Sequence, residues 1–356
     1  MRLKIFFASL LSLALALSLS SCEGDQGPAG PQGSEGPAGP IGETGPAGEG
    51  VQNCKDCHGG NQLITARLFQ WENSVHATGG AYNRNAASCA ICHTSQGFLE
   101  VAGTGATSAS MDVENPLPQN CYTCHQIHQT YTQDDWALTT SDPVTFWVKG
   151  EMADIGNSNL CLNCHQARIP SPEVPEPGVD GMATVTSSRY GPHHGSQGVM
   201  FTGNTGYEIP GDEPYSNSVH TLAIQNGCIT CHMAPVADGR ASGGHTFRVE
   251  SADGELNTNG CIQCHDDAGE LETLVEETQT EIADLLNQLG TRLFELDILR
   301  DNLESVNAST SAPLELTNVQ LGALWNYQYV REDQSFGVHN YKYAKALLKN
   351  SLAALN

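Results

Sequence analysis

Six Cys-x-x-Cys-His strings repeat along the chain and use twelve of its 13 cysteines. Two thiols at this spacing can add to the vinyl groups of one haem, and the adjacent imidazole can then bind the iron as proximal ligand. A zinc site needs no histidine directly after the second cysteine, and a thioredoxin-like motif occurs once in a chain. The pattern therefore predicts six covalently attached haem c groups. The motifs are Cys54, Cys57 and His58; Cys89, Cys92 and His93; Cys121, Cys124 and His125; Cys161, Cys164 and His165; Cys228, Cys231 and His232; and Cys261, Cys264 and His265.

The remaining histidines match the number of distal ligands that six irons need. Six proximal ligands leave seven of the 13 histidines, and the neighbours His193 and His194 could hardly both bind iron. This match predicts low-spin iron with an imidazole on each face and no open position for a substrate. Histidine–methionine ligation is the alternative for any single iron. The candidates for the distal position are His76, His128, His193, His194, His220, His245 and His339.

Two local patterns support this assignment. Residues 73–76 and 217–220 both read Asn-Ser-Val-His, and each stands shortly before a haem motif. We interpret them as one reused unit that presents a distal imidazole. His125 and His128 are about one helical turn apart, so one can bind its own haem and the other a neighbouring haem. Two porphyrins would then come into contact.

The N-terminal residues 1–21 predict a secretory signal peptide. Arg2 and Lys4 precede an apolar run that is shorter than a membrane span. The string Leu-Ser-Ser-Cys that ends at Cys22 resembles the processing box of bacterial lipoproteins, which implies cleavage before Cys22 and lipid on its sulfur. An ordinary signal peptide with a chance cysteine is the alternative. Glu23 follows instead of aspartate, so we expect an outer-membrane lipoprotein on the periplasmic or the cell-surface face.

Glycine occupies every third position from residue 24 to residue 50. Two interpretations fit this pattern equally. One is a collagen-like triple helix of three chains, in which only glycine fits at the axis. The other is an extended, semi-rigid linker of a single chain. In both, residues 22–50 form a stalk between the lipid anchor and the domain that follows.

Residues 51–268 predict a hexahaem domain of short helices and loops, because glycine, asparagine, threonine and proline are abundant between the motifs. So little chain surrounds each haem that the haems must supply much of the core. Residues 269–356 predict a helical region that contributes a distal haem ligand. The expected fold is therefore mainly α-helical and irregular, with very little sheet.

The spacing of leucines and other apolar residues places the C-terminal helices. An apolar seam from Leu271 to Leu289 predicts a helix that Gly290 interrupts, followed by a second helical stretch over residues 293–303. Further helices are expected over residues 316–330 and 341–354, with His339 on their connection. The seam fits packing within the chain or a contact between two copies of it.

Four strings in the second half resemble the multihaem superfamily of ammonia-forming nitrite reductase, hydroxylamine oxidoreductase and octahaem tetrathionate reductase. The resemblance covers residues 185–356. It implies closely packed haems, with His245, His339 and one of His193 and His194 as distal ligands, and C-terminal helices that flank the haems. It does not extend to activity, because the chain lacks the Cys-x-x-Cys-Lys motif of the nitrite reductase active haem. The strings are Tyr-Gly-Pro-His-His-Gly at 190–195, Gly-Cys-Ile-Thr-Cys-His-Met at 227–233, Gly-His-Thr-Phe at 244–247 and Asp-x-Ser-x-Gly-Val-His-Asn at 333–340.

The charge balance bears on partners. With 40 acidic and 16 basic side chains the formal net charge is −24, which argues against nucleic acid as a partner. An acidic surface suits other cytochromes or redox proteins with basic docking patches, or an extracellular metal oxide. We interpret the acidic pairs Asp112/Glu114 and Asp266/Asp267 as surface charge and not as calcium ligands.

These observations predict an electron carrier of the cell envelope, in respiratory or extracellular electron transfer, with no catalytic residues. The alternative is an enzyme that reduces a small nitrogen or sulfur oxyanion at one five-coordinate haem. A third hypothesis is a structural role, with homo-oligomers formed through the stalk or the C-terminal helices.

Overall fold

The computed structural model describes residue 58 and residues 62–78, 81–236 and 242–356. The signal peptide, Cys22, the glycine-rich stalk and the thiols Cys54 and Cys57 lie outside the described residues, so their assignments stay predictions. Within the described part, no helix is both long enough and apolar enough to cross a membrane.

Short helices and irregular loops make up the region of the haem motifs, and three longer helices follow. Among the described residues, four strands form two small antiparallel pairs, β1 with β2 and β3 with β4. The expected fold class, mainly helical and irregular with very little sheet, is confirmed. The helices are α1 (Gln62–Glu72), α2 (Val75–Thr78), α3 (Ala87–His93), α4 (Ser95–Val101), α5 (Cys121–Cys124), α6 (Asn159–Leu162), α7 (Gln197–Thr202), α8 (Val219–Ala223), α9 (Gly227–His232), α10 (Ala268–Glu295), α11 (Asn318–Asp333) and α12 (Tyr341–Leu355). The strands are β1 (Val144–Thr145), β2 (Met152–Ala153), β3 (Met182–Val185) and β4 (Leu314–Thr317).

Helix α10 runs without a break through Gly290, so the expected interruption is wrong. The side chain of Asp267 caps its first turn by accepting the N–H of Glu270 at 2.9 Å. A Cβ on Gly290 would lie 2.9 Å from the ring of Tyr327 on α11. The glycine therefore serves close contact between two helices, and packing outweighs its weak helix propensity.

The second expected helical stretch, over residues 293–303, is also wrong beyond its first turn. Helix α10 ends at Glu295, and Asp297 and Leu303 take left-handed backbone conformations with φ of 57° and 54°. Ile298 and Leu299 are almost fully buried in the turn that follows. The apolar residues that suggested a helix therefore reach the core from a folded-back loop.

Helix α11 begins two residues later than expected, because the chain before it is strand β4. Thr317 caps the helix through a reciprocal pair of hydrogen bonds with Gln320, at 3.2 and 2.9 Å. In its middle, Trp325 is fully buried and donates its indole N–H to the carbonyl of Thr205 at 2.9 Å. That contact joins the C-terminal helices to the loop after α7.

The main cluster of buried apolar side chains lies among α10, α11, α12 and residues 144–209. The α10 seam contributes Ile282, Leu285 and Leu289 to it, so the seam packs within the chain. Between residues 81 and 143 the buried apolar side chains are only Ala90, Ile91, Phe98 and Ala109. The main apolar cluster thus begins at residue 144, and of the five described motifs only the fourth contributes a residue to it, Leu162.

Candidate haem-binding sites

Five of the six motifs lie wholly within the described residues, and each folds as about one helical turn. In the third motif the N–H of His125 donates to the carbonyl of Cys121 at 2.9 Å. The same bond closes the fourth and sixth motifs, from His165 and His265, at 2.9 and 3.0 Å. Residues three apart on a helical turn share a face, so both cysteines of a motif face one way with the histidine directly after them.

Each motif histidine stands opposite one of the histidines that the sequence offers as distal ligands. Numbered by motif in chain order, the six pairs have ring centroids 6.1 to 6.4 Å apart. The pairs are His58 with His128 (first site), His93 with His193 (second), His125 with His245 (third), His165 with His76 (fourth), His232 with His339 (fifth) and His265 with His220 (sixth).

This separation fits two imidazoles that bind one iron from opposite sides. With iron–nitrogen bonds of about 2 Å and about 1 Å from nitrogen to ring centre, the two centroids would lie about 6 Å apart. The adjacent rings of His193 and His194, with centroids 4.6 Å apart, are too close to bind one iron between them. At the five sites whose motifs are described, the residues therefore fit a haem: the two cysteines could hold it by thioether links and the two histidines could bind its iron. At the first site the structure describes the histidine pair.

The structure distinguishes the neighbouring His193 and His194, between which the sequence could not choose a distal ligand. His193 faces His93, whereas the side chain of His194 is 72% exposed and its Nδ1 lies 2.7 Å from a carboxylate oxygen of Glu332. Of the seven candidate distal ligands, His194 is thus the one that faces no motif histidine within the described residues.

A buried carboxylate shapes the loop that presents His128. Asp135 accepts the backbone N–H groups of His128, Gln129, Thr130 and Tyr131 at 2.7 to 3.2 Å. Burial alone would raise the pKa of Asp135, but these bonds, together with the Thr130 hydroxyl, hold it below its ordinary value. They also offset the strain at His128, whose φ of 61° is unusual for a residue with a side chain.

The repeated Asn-Ser-Val-His unit places its histidine at the same local position twice. His76 is the second residue of α2, and His220 is the second residue of α8. The surroundings differ, because Ser74 accepts the N–H of Ala77 at 3.3 Å within its own turn. The N–H of Ser218 instead donates to Asn340 at 2.8 Å. The unit therefore fixes the local presentation of the imidazole, and tertiary contacts fix what it faces.

Burial keeps several of these imidazoles neutral. It is the largest cause that lowers the pKa of His76, His193 and His245 to about 4, and nearby histidines or arginines add to it. A metal binds the neutral imidazole, so these side chains need lose no proton at neutral pH before they bind iron.

The Nδ1 atoms of six site histidines have hydrogen-bond partners, which leaves Nε2 to face the opposite ring. The sequence analysis did not identify these partners. Only one of them, Asp333, stands in the same string as its histidine, His339. The partners are the carbonyl of Trp136 for His125 at 2.8 Å, the carbonyl of Phe247 for His232 at 2.9 Å, the carbonyl of Val338 for His220 at 3.0 Å, Gln197 for His165 at 3.0 Å, the Tyr122 hydroxyl for His128 at 3.1 Å and Asp333 for His339 at 2.6 Å.

Elsewhere in the described ranges no three or more histidine, cysteine, aspartate or glutamate side chains converge as a metal cluster. Two members of the acidic pairs have structural contacts. Asp112 accepts the N–H of Ala87 at 2.9 Å, and Asp267 caps α10.

The sequence and the fold are similar to those of known cytochromes. Residues 207–355 match the family cytochrome c552. The fold is similar to that in the crystal structure of the outer cell wall cytochrome OcwA, with 20% sequence identity and a TM-score of 0.51. That match covers 82% of this chain and 50% of the other, so the chain spans half the length of that structure. No curated protein matches the sequence significantly. With the repeated motifs, these findings support a multihaem c-type cytochrome.

Proposed function

We propose that the chain transfers electrons through six covalently bound haem c groups, each with histidine on both faces of its iron. The observation that carries the proposal is the set of six histidine pairs, with ring centroids 6.1 to 6.4 Å apart. Iron with two imidazole ligands has no open position for a substrate, so it exchanges electrons without forming bonds to other molecules.

Contacts between motifs support an order for the haems. His125 and His128 belong to the third and first sites, which makes these sites neighbours. The Sγ of Cys164 in the fourth motif lies 3.7 Å from the carbonyl of Ile91 in the second. These contacts join the first site to the third and the second site to the fourth.

Further contacts extend the order through the fourth and fifth sites. The thiol of Cys161 in the fourth motif lies close enough to Cys228 in the fifth and to Cys124 in the third that these thiols, with burial, raise its pKa. A Cβ on Gly260, beside the sixth motif, would lie 3.3 Å from the Cα of Cys231 in the fifth. We therefore order the haems as first, third, fourth, fifth and sixth, with the second branching from the fourth.

The cell envelope is the proposed location. The signal peptide, the lipid on Cys22 and the glycine-rich stalk are sequence predictions that agree with it. The similarity in fold to OcwA, an outer cell wall cytochrome, supports the same location. The proposed partners are other cytochromes or redox proteins and extracellular metal oxides, because the net charge of −24 favours basic or metal-bearing surfaces.

The test combines haem counting with iron spin state. The purified protein should contain six haems per chain by pyridine haemochrome assay. Its electron paramagnetic resonance (EPR) spectrum should be entirely low-spin, and carbon monoxide, nitrite and hydroxylamine should leave its absorption spectrum unchanged. A high-spin iron that binds one of these ligands would overturn the carrier proposal in favour of a reductase.

Adjacent histidines provide a matched pair of variants. His193→Ala should convert one of the six irons to a high-spin form that binds carbon monoxide. His194→Ala should leave all six low-spin, because His194 bonds to Glu332 and faces no motif histidine. Conversion by His194→Ala, or none by His193→Ala, would contradict the assignment of the second site.

A further inference from the structure

The fifth site contains a buried carboxylate bonded directly to one of its histidines. Asp333, at the end of α11, is 2% exposed, and its Oδ1 accepts the Nδ1–H of His339 at 2.6 Å. Its other oxygen accepts the hydroxyl proton of Ser335. The Ser335 oxygen in turn accepts the backbone N–H of His339 at 3.2 Å. Aspartate, serine and histidine thus hold one another in a single orientation.

The negative charge of Asp333 has no lysine or arginine partner among the described residues. Arg331, the nearest basic residue along the helix, donates to Glu332 at 2.7 Å and to Gln328 at 3.1 Å. Because the carboxylate is buried and its ion-pair contact is with His339, its charge acts mainly on that imidazole.

The five other site histidines whose Nδ1 partners are given above differ in this respect. The carbonyl, amide and hydroxyl groups that face them carry no net charge, at 2.8 to 3.1 Å. A carboxylate that accepts the Nδ1–H draws the proton away and makes the imidazole a stronger electron donor to a bound metal. A stronger donor stabilises ferric over ferrous iron and so lowers the reduction potential of the haem.

We propose that Asp333 is a positioning residue that makes the haem of the fifth site the last of the six to be reduced. The inference rests on the proposed function and deepens it. In the proposed order the fifth haem stands between the sixth haem and the other four. An external one-electron donor such as another cytochrome would supply the electron that enters. Each transfer between haems would then oxidise one ferrous iron and reduce the ferric iron of the next. Electron transfer onto the fifth haem is then thermodynamically unfavourable, and this step separates the sixth haem from the other four.

The decisive experiment is a spectroelectrochemical titration of Asp333→Asn followed by EPR. Asparagine keeps the size and an acceptor oxygen but removes the charge. We expect one of the six one-electron steps, the lowest, to become at least tenfold more favourable, which corresponds to about 59 mV. The low-spin signal that disappears last in the native protein should be the signal whose g values change. A titration that overlays that of the native protein would overturn the inference.

The neighbouring glutamate supplies the control. Glu332→Gln removes one negative charge at the next position, but Glu332 bonds to His194 and Arg331 and to no site histidine. The lowest step should therefore stay in place in this variant. An equal shift in both variants would mean that general charge, and not the bond to His339, sets the potential, and the inference would fail.

Ser335→Ala changes the environment of the same carboxylate without removing it. This variant tests the inference if Asp333→Asn does not fold. Without the Ser335 hydroxyl, the carboxylate of Asp333 loses one hydrogen-bond donor and its charge acts more strongly on His339. The reduction step of lowest potential should therefore become less favourable, which is the opposite of the shift expected for Asp333→Asn. No movement, or movement upward, would contradict the inference. The outcomes are distinguishable from failure of the proposed function, because that failure appears as fewer than six haems or as high-spin iron in the native protein.

Discussion

The haem-motif segment from residue 81 to residue 143 and the C-terminal helices α10 to α12 are built differently. In the C-terminal helices, large side chains such as Trp325, Leu289 and Leu347 are fully buried against one another. In the motif segment few apolar side chains are buried, and polar groups do much of the ordering. There Asp135 accepts hydrogen bonds from four backbone N–H groups, and Asn120 caps the turn that contains the third motif.

This difference indicates which region is stabilised mainly by contacts among its own side chains. Buried apolar area is the main favourable contribution to folding, and the C-terminal helices have it. The motif segment has little, so in the proposed hexahaem protein the porphyrins must supply the missing apolar surface. The following variants test that contrast, from the largest expected effect to the smallest.

Loss of the third haem should disorder its surroundings and spare the distant helices. With Cys121→Ser and Cys124→Ser together, no thioether links can form at this site. We expect amides from about residue 120 to residue 140 to lose hydrogen-exchange protection completely, since few buried apolar side chains remain to hold them. Amides of α12 should stay protected, as hydrogen-exchange mass spectrometry would reveal. Equal loss in both regions would break the comparison.

A cavity in the C-terminal core should cost stability without changing the haem sites. Leu289→Ala on α10 should lower the free energy of unfolding by about 2 to 5 kcal/mol, because this side chain is fully buried. Leu274→Ala on the same helix is the control. Leu274 is 49% exposed, and its loss should cost less than about 1 kcal/mol. Denaturant unfolding followed by circular dichroism measures both, and similar costs would refute the core assignment.

Removal of the buried charge at Asp135 should have a local effect. In Asp135→Asn one acceptor oxygen becomes a donor, so several of the N–H groups at residues 128–131 lose their partner. We expect faster amide exchange in this loop and a fraction of high-spin iron at the first site, where His128 is the proposed distal ligand. Asp134→Asn, an exposed neighbour in the same turn, should change neither property. An unchanged spin state in Asp135→Asn would mean that the loop holds His128 without the carboxylate.

The smallest effect is expected at the ion pair between α10 and α12. Lys345 donates to Glu281 at 2.7 Å, and the pair, with the Tyr341 hydroxyl, lowers the pKa of Glu281. A lowered pKa means that the pair stabilises the fold above the ordinary glutamate range, and that this contribution is lost as the pH falls through the folded-state pKa. Glu281→Gln should cost at most about 1 kcal/mol, because the side chain is partly exposed and solvent screens the charges.

The pH dependence of the free energy of unfolding distinguishes the effect of this ion pair from a general effect of surface charge. The stability difference between Glu281→Gln and the native protein should be present at neutral pH and vanish in acid. Glu277→Gln, on the same helix and without an ion pair in the described structure, should show no such difference. A pH-independent difference for Glu281→Gln would point to packing and not to the ion pair.

Much of this arrangement could be predicted because it depends on local spacing. The motifs, the candidate distal histidines, the fold class and the three C-terminal helices follow from residue types and periods of three to four. The role of Gly290 could not be predicted, because its reason lies on another helix, at Tyr327. The choice between His193 and His194 was open for the same reason, since both histidines share one local sequence and only the distant His93 and Glu332 distinguish them.

The potential-tuning role that we propose for Asp333 also lay beyond the sequence. The Asp-x-Ser-x-Gly-Val-His string places both residues in one motif, but a spacing of six across a helix end and a loop does not predict that they are in contact. Only the fold makes Asp333 buried and brings its carboxylate to Nδ1 of His339.

The pairing of histidines has a consequence for how the protein matures. A chain exported from its N-terminus delivers His76 before the fourth motif and His220 before the sixth, so those sites can close as soon as their haem is attached. The first, second, third and fifth sites instead wait for His128, His193, His245 and His339, which follow their motifs in the chain. In the proposed hexahaem protein the fifth iron therefore keeps an open face until almost the whole chain has crossed the membrane.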